Sequence, residues 1–212
     1  PTFNQLFSIL LVPGIIALIV IFQPELRMAL ERLGRAGLLG RAFTPIHLTT
    51  SEQQTVINEV VEACAEFSDT RTGALIVFEC ESGLMSITRT GKTLDARVSA
   101  ELLAAIFFPK GPLHDGGVVI RGSTLIAAAC VLPYAEGMGL SASVGMRHRA
   151  ALGITERTDA VCVVVSEEPG QISLAVDGAM RRGLDRTQLT DRLMSLLGPE
   201  EEKAPSWMFW RR

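Results

Sequence analysis

Leu113 to Leu132 reads LHDGGVVIRGSTLIAAACVL, and this stretch decides what kind of sheet the chain builds. Val118 to Ile120 is a short β-branched strand, Arg121-Gly122-Ser123 is a hairpin turn, and Thr124 to Leu132 is the returning strand. A hairpin forces its two strands to run antiparallel, so a sheet that contains one is not purely parallel. Elsewhere strands and helices alternate, and the combination predicts an α/β fold with a mixed central β-sheet flanked by helices.

Upstream, Ser99 caps a helix through AELLAAIFF that stops before Pro109. GALIVFE, Gly73 to Glu79, is a buried strand, and LMSIT is a weaker one. Ser51-Glu52-Gln53-Gln54 has the form of a capping box, and Val56, Ile57, Val60, Val61, Cys64 and Phe67 then share one helical face. Downstream, a loop rich in Pro, Gly and Ser leads to Gly145. MRHRAALGI is helical, AVCVVVS is a buried strand, EEPG is a turn, ISLAV is another strand, and a last helix covers Thr187 to Leu197.

Several familiar motifs fail on inspection. No G-x-G-x-x-G is present, which disfavours a pure dinucleotide-binding domain. Gly91-Lys92-Thr93 resembles the end of a P-loop, but Ser86 stands where its first glycine belongs. Gly139 to Ser143 fails as a nucleophile elbow because Ser143 replaces the closing glycine.

The chain has 212 residues, 48% of them apolar, enough for one folded domain with appendages. A net charge of −3 and an aromatic content of 6% give no basic field and no stacking platform, so nucleic acid is not expected as a partner. The four cysteines stand singly in apolar stretches with no metal-ligand spacing, which reads as reduced core residues in a cytosolic compartment.

Pro1 to Pro24 contains no charged residue, and Leu6 to Phe22 is apolar over almost its whole length, about enough to cross a hydrocarbon core as a helix. A buried core helix is the alternative. A cleaved signal peptide lacks both its basic start and its small-residue cleavage pattern. Arg27, Arg32, Arg35 and Arg41 outnumber Glu25 and Glu31 just beyond the run, which puts this end in the cytoplasm. The expected organisation is a transmembrane and juxtamembrane helix over 1–35, a linker over 36–50, a folded domain over 51–198, and an acidic, then aromatic and basic tail over 199–212. Beginning at Pro1 rather than Met, the chain reads as truncated at its N-terminus. Trp207, Phe209 and Trp210 beside two arginines suit a membrane surface, and equally a disordered end.

Two stretches carry residues that a plain structural domain does not need. In His114-Asp115-Gly116-Gly117, the acid before glycine is an ordinary turn choice. It is also an arrangement in which bare backbone admits a ligand while Asp115 accepts a proton or holds a metal. In GMRHRAALGITE, Gly145 to Glu156, three potentially cationic side chains open a helix. They sit at the positive end of its dipole, at a cost of about a few tenths of a kcal/mol each, which a bound anion reverses. Residues two apart on a helix diverge by about 200°. Arg147 and Arg149 therefore do not both grip one phosphate from a regular helix: the motif begins in the preceding loop, or one arginine serves the fold or a neighbouring subunit. Ser166-Glu167-Glu168 closes a buried strand, where a serine can bond phosphate and a glutamate can attend a metal.

Taken together, PLHDGGVVI, GMRHRAALGITE and VSEE, with TGALIVFE and VSAELLAAIFFPKGPLHDG leading in, resemble the membrane-bound diadenylate cyclases, which make cyclic di-AMP from two ATP. The resemblance runs from about Phe22 to Leu197 and implies the fold of their catalytic domain. It implies that the 3′-hydroxyl of each ATP attacks the α-phosphate of the other, with Mg²⁺ or Mn²⁺ assisting and pyrophosphate leaving. Carried over by position, Asp115 activates the hydroxyl or ligates the metal with His114 beside it, and Gly116 and Gly117 lie against the nucleotide. By the same resemblance Met146, Arg147, His148 and Arg149 form the phosphate-binding motif, Arg147 and Arg149 acting in catalysis. Ser166 contacts phosphate, Glu168 the metal, and Leu132 the adenine. Where many relatives read D-G-A this chain has Gly117, and where they often place Thr before R-H-R it has Met146.

Two-fold symmetry of the product implies a face-to-face homodimer, one ATP per subunit. The resemblance also implies a bacterial cell membrane location with a cytoplasmic catalytic domain, and an extracytoplasmic regulator and phosphoglucosamine mutase as partners. Two other functions compete with it. One is a non-catalytic, membrane-tethered nucleotide sensor; the other is a metal-dependent hydrolase built on His114, Asp115 and His148, which lacks a paired ligand motif.

Overall fold

The computed structural model describes residues 50–135 and 145–198, together with Phe22. In chain order the elements are α1 (Thr50–Thr70), β1 (Ala74–Glu79), α2 (Met85–Thr88), β2 (Lys92–Arg97), α3 (Ala100–Phe107) and β3 (Gly117–Arg121). They continue with β4 (Thr124–Cys130), α4 (Met146–Thr155), β5 (Val161–Val165), β6 (Ile172–Val176), β7 (Ala179–Arg182) and α5 (Arg186–Leu197). The strands form one 7-stranded sheet in the order β2-β4-β3-β1-β5-β6-β7. β1 and β3 are parallel and every other adjacent pair is antiparallel, so the hairpin indeed produces a mixed sheet.

Alternation along each strand divides the core into two layers. Ala74, Ile76 and Phe78 of β1 face α1, α3 and α5, joined by Val161, Val163 and Val165 of β5. Leu75 and Val77 face the other way, toward Ala150, Ala151 and Ile154 of α4 and Leu84 beside α2. Each large side chain buried in this way contributes roughly 1.5–3 kcal/mol, which is what fixes the register of the sheet. Polar contacts set the helices: Glu59 accepts from the Ala100 amide at 2.8 Å, and Gln53 donates to the Leu197 carbonyl.

Ser99 caps α3 as expected, accepting from the Leu102 amide. The capping box lies elsewhere, at Asp185 and Gln188 opening α5. Ser51 is inside α1, which already includes Thr50. LMSIT is also corrected: Met85–Thr88 is one helical turn, with the Ile87 and Thr88 amides both bonded to the Leu84 carbonyl. Only Leu84 is buried there, so no alternating face holds a strand. Cys64, Cys130 and Cys162 are buried, and burial pushes the thiols of Cys64 and Cys130 up to about 12 and 11. Cys80 departs from the core assignment: it lies one residue past β1 and is exposed. No helix among the described residues is long and apolar enough to cross a membrane. Apart from Phe22, the expected span over 1–35 lies outside the described residues, as does the aromatic tail.

Candidate active site

The site residues gather at one end of the sheet. Gly117 at the start of β3 pairs with Cys130 at the end of β4, and Ala74 at the start of β1 pairs with Val165 at the end of β5. Asp115 therefore enters the sheet beside the strand end from which Leu132 leaves, and Gly73 enters beside Ser166. Open parallel sheets collect ligands at the carboxyl ends of their strands. Here the parallel pair presents amino ends, and the antiparallel neighbours supply the carboxyl ends alongside.

The loop before β3 is shaped by what it touches. Gly116 has φ +113°, and a Cβ there would lie 2.6 Å from the Cys130 carbonyl oxygen and 2.9 Å from the Ala129 carbonyl carbon. The β4 backbone is itself irregular at this point: the β3–β4 register shifts between Gly117 and Val119, and Ala129 has φ +52°. A bulge of this kind bends a strand and re-aims its neighbours. The loop nests on it and leaves Asp115 exposed to solvent. His114 is half-buried, its Nδ1 2.5 Å from the Gly111 carbonyl oxygen. Gly117 is buried, and Leu132, 4% exposed, packs against it.

α4 opens at Met146 after Gly145, whose position no side chain caps. The expected trio of cations does not face one way. Met146 and Arg149 are exposed, while His148 is buried and its pKa is pushed below the ordinary 6.5 by desolvation and then by the charge of Arg182. Arg147 turns inward: its Nη1 donates to Glu167 at 2.5 Å and its Nη2 to the His114 carbonyl at 3.2 Å. Its Nε is buried with no partner among the described residues. The Ala135 amide donates to the Arg149 carbonyl, and a Cβ on Gly153 would lie 2.6 Å from the Ala135 nitrogen, so the segment leaving Leu132 runs hard against α4.

Ser166 to Gly170 forms the turn after β5. Ser166 is half-buried, with its amide bonded to the Gln171 carbonyl, and Glu167 and Glu168 are exposed. Ser68 at the end of α1 donates to the Gly170 carbonyl at 2.6 Å and pins the far side of the turn. Sequence reasoning singled out Glu168; the glutamate that meets Arg147 is Glu167. Missed too was Gly73, where a Cβ would lie 2.5 Å from Arg147 Nη1 and 2.6 Å from Glu167 Oε1. Nothing in a linear reading of Glu167-Glu168 says which one meets Arg147.

Beside this contact opens a pocket of about 330 Å³, lined also by His114, with Arg71, Lys110 and Arg147 supplying positive charge and Glu167 the opposing carboxylate. Among the described residues no three His, Cys, Asp or Glu side chains converge as a metal cage. A Mg²⁺ in a nucleotide site is commonly held by one or two carboxylates and the substrate's phosphates, and exposed acids such as Asp115 and Glu168 fit that mode.

Residues 61–180 match the family described as "DisA bacterial checkpoint controller nucleotide-binding" (DAC). That match defines a nucleotide-binding α/β domain. The chain belongs to this family, the diadenylate cyclases. It is 43% identical over 180 residues to cyclic di-AMP synthase CdaA of Bacillus subtilis, covering 85% of this chain and 65% of that protein. It is 42% identical over 193 residues to the diadenylate cyclase of Listeria monocytogenes, covering 91% of this chain and 70% of that protein. The chain thus spans about two thirds of the length of these relatives. Among solved structures, a double mutant of DacA from Staphylococcus aureus aligns with a TM-score of 0.68 at 41% identity, over 70% of this chain and 99% of that one. A protein from Bacillus cereus described as a hypothetical membrane spanning protein aligns at 0.60 and 32% identity, over 79% and 80%.

Proposed function

We propose that this chain is a diadenylate cyclase that joins two ATP into cyclic di-AMP and releases two pyrophosphates, working as a face-to-face homodimer with Mg²⁺ or Mn²⁺. What carries the reading is the convergence, at one sheet end, of the Asp115-Gly116 loop, the α4 amino terminus and the Ser166–Glu168 turn, in a chain 43% identical to a named cyclic di-AMP synthase.

In each half-reaction the 3′-oxygen of one ATP bonds to the α-phosphorus of the other while the bond to pyrophosphate breaks. Asp115, exposed on the loop that Gly116 seats against the β4 backbone, takes the hydroxyl proton. The α4 amides and Arg149 face the phosphates, where positive charge offsets the charge that develops on the transferring group. His148, buried and neutral, holds the helix start rather than adding charge. Ser166 contacts phosphate, and Leu132 with Gly117 borders the base. Asp115 and Glu168 would hold the divalent ion, with His114 beside them, and its chemistry there is charge neutralisation at the phosphates.

One subunit holds one ATP and does not close a two-nucleotide ring alone, so product formation per subunit rises with protein concentration until the dimer saturates. Chromatography of the products across a dilution series tests both points. Cyclic di-AMP formed at a constant rate per subunit at every dilution contradicts the dimer, and ATP left intact contradicts the activity. The non-catalytic sensor is not favoured, because the relatives are named for synthesis. Membrane attachment through 1–35, a cytoplasmic catalytic domain, an extracytoplasmic regulator and phosphoglucosamine mutase belong to the proposal through the family resemblance.

A further inference from the structure

Arg147 is tied to three segments at once. Its Nη1 meets Glu167 in the turn after β5, its Nη2 meets the His114 carbonyl one residue before Asp115, and both partners of the ion pair cross over the bare backbone of Gly73 at the start of β1. The side chain of Arg147 is 23% exposed and that of Glu167 is 62% exposed. A pair this open to solvent contributes little to folding, about 0–1 kcal/mol. The contact nonetheless joins the Asp115 loop, through the His114 carbonyl, to the turn carrying Ser166 and Glu168.

We propose that Glu167 is a positioning residue for the cyclisation, holding Arg147 so that the loop of Asp115 and the turn of Ser166 and Glu168 keep one fixed spacing, with Gly73 present because the pair needs its missing side chain. The inference rests on the cyclase reading and adds to it a residue that touches no substrate atom. It also separates the two arginines: Arg147 acts from within the protein, and Arg149 remains turned to solvent.

The charge of Glu167 distinguishes positioning from ground-state binding. Deleting a carboxylate beside an anion site leaves the site more positive, so ATP is bound no less tightly, and a raised KM has no electrostatic cause. Loss of alignment instead lowers turnover, because a misplacement of about 1 Å costs up to about 10²-fold. Glu167→Gln keeps an oxygen that accepts from Nη1 and rescues in part. Gly73→Ala displaces the same pair from beneath without altering either charge.

The test is steady-state cyclic di-AMP formation by the full chain and by Glu167→Ala, Glu167→Gln and Gly73→Ala, with the thermal midpoint of each. The expected result is a kcat about tenfold lower in Glu167→Ala and Gly73→Ala, an intermediate value in Glu167→Gln, an unraised KM for ATP in the Glu167 variants, and little change in midpoint for those variants. A kcat within about twofold of the parent in both Glu167→Ala and Gly73→Ala overturns the inference while the cyclase reading stands, and so does a raised KM with undiminished kcat in Glu167→Ala. A parent that forms no cyclic di-AMP overturns the reading itself.

Discussion

Leu132 Cδ1 occupies the space that a methyl on Gly117 would need, 2.6 Å from where that Cβ would stand. The glycine that breaks the D-G-A pattern is thus matched by a leucine packed into the vacated volume. Gly117→Ala forces Leu132 out of its present rotamer and destabilises by about 1 kcal/mol through overpacking. A double-mutant cycle with Leu132→Val, read by urea unfolding, is expected to recover much of that loss; additive effects of the two changes contradict the contact.

Gly116 stands one residue earlier and is far less forgiving. Its φ of +113° and the Cys130 carbonyl oxygen, 2.6 Å from where a Cβ would stand, are backbone constraints that no rotamer relieves. Gly116→Ala is expected to cost about 1–3 kcal/mol and to abolish cyclisation by shifting Asp115. Urea unfolding and product assay on one preparation check it, and a stability loss no larger than that of Gly117→Ala contradicts it.

The far ends of β1 and β3 provide a control. Glu79, 6% exposed at its side chain, accepts two hydrogen bonds from Arg121, at 2.6 and 3.0 Å. Arg121→Ala leaves that carboxylate buried without its partner. The expected cost is about 2 kcal/mol, moderated because the arginine itself is partly exposed. Thermal unfolding should show this loss while kcat of the folded protein stays near the parent value; a kcat that falls in step with stability contradicts the separation of the two sheet ends.

Much of this arrangement was legible in the sequence because it rests on local chemistry. The hairpin at Arg121-Gly122-Ser123 announced an antiparallel pair, and unbroken β-branched runs such as Val161–Val165 announced buried strands. The strands that escaped notice lack that signal. Lys92–Arg97 is a polar edge strand, bulged around Asp95 at φ +47°, and Ala179–Arg182 ends in two arginines. Within the site, Asp115 and the arginines stood out by type. The inward turn of Arg147, the burial of His148 and the choice of Glu167 over Glu168 depend on how α4 and β5 pack, which no spacing encodes.

His148 sets a pH dependence whose sign follows from its burial. Its folded pKa lies below the ordinary 6.5, so under pH 6.5 the unfolded chain takes up a proton that the folded chain refuses. Its contribution to stability is complete above that value and is lost as the pH falls through the folded pKa. Thermal midpoints at about pH 7.5 and about pH 5.5 should fall more for the parent than for His148→Gln. Equal slopes contradict a neutral, buried His148.

The most direct measurement of the cyclase reading compares the parent with Asp115→Asn, each incubated with ATP and either Mg²⁺ or Mn²⁺ and resolved by chromatography. Asp115 is exposed, so the substitution leaves the fold intact and isolates the carboxylate. The expected result is cyclic di-AMP from the parent and at least about 10²-fold less from Asp115→Asn at an unchanged thermal midpoint. ATP that stays intact with the parent under both metals, or equal product from both proteins, contradicts the account.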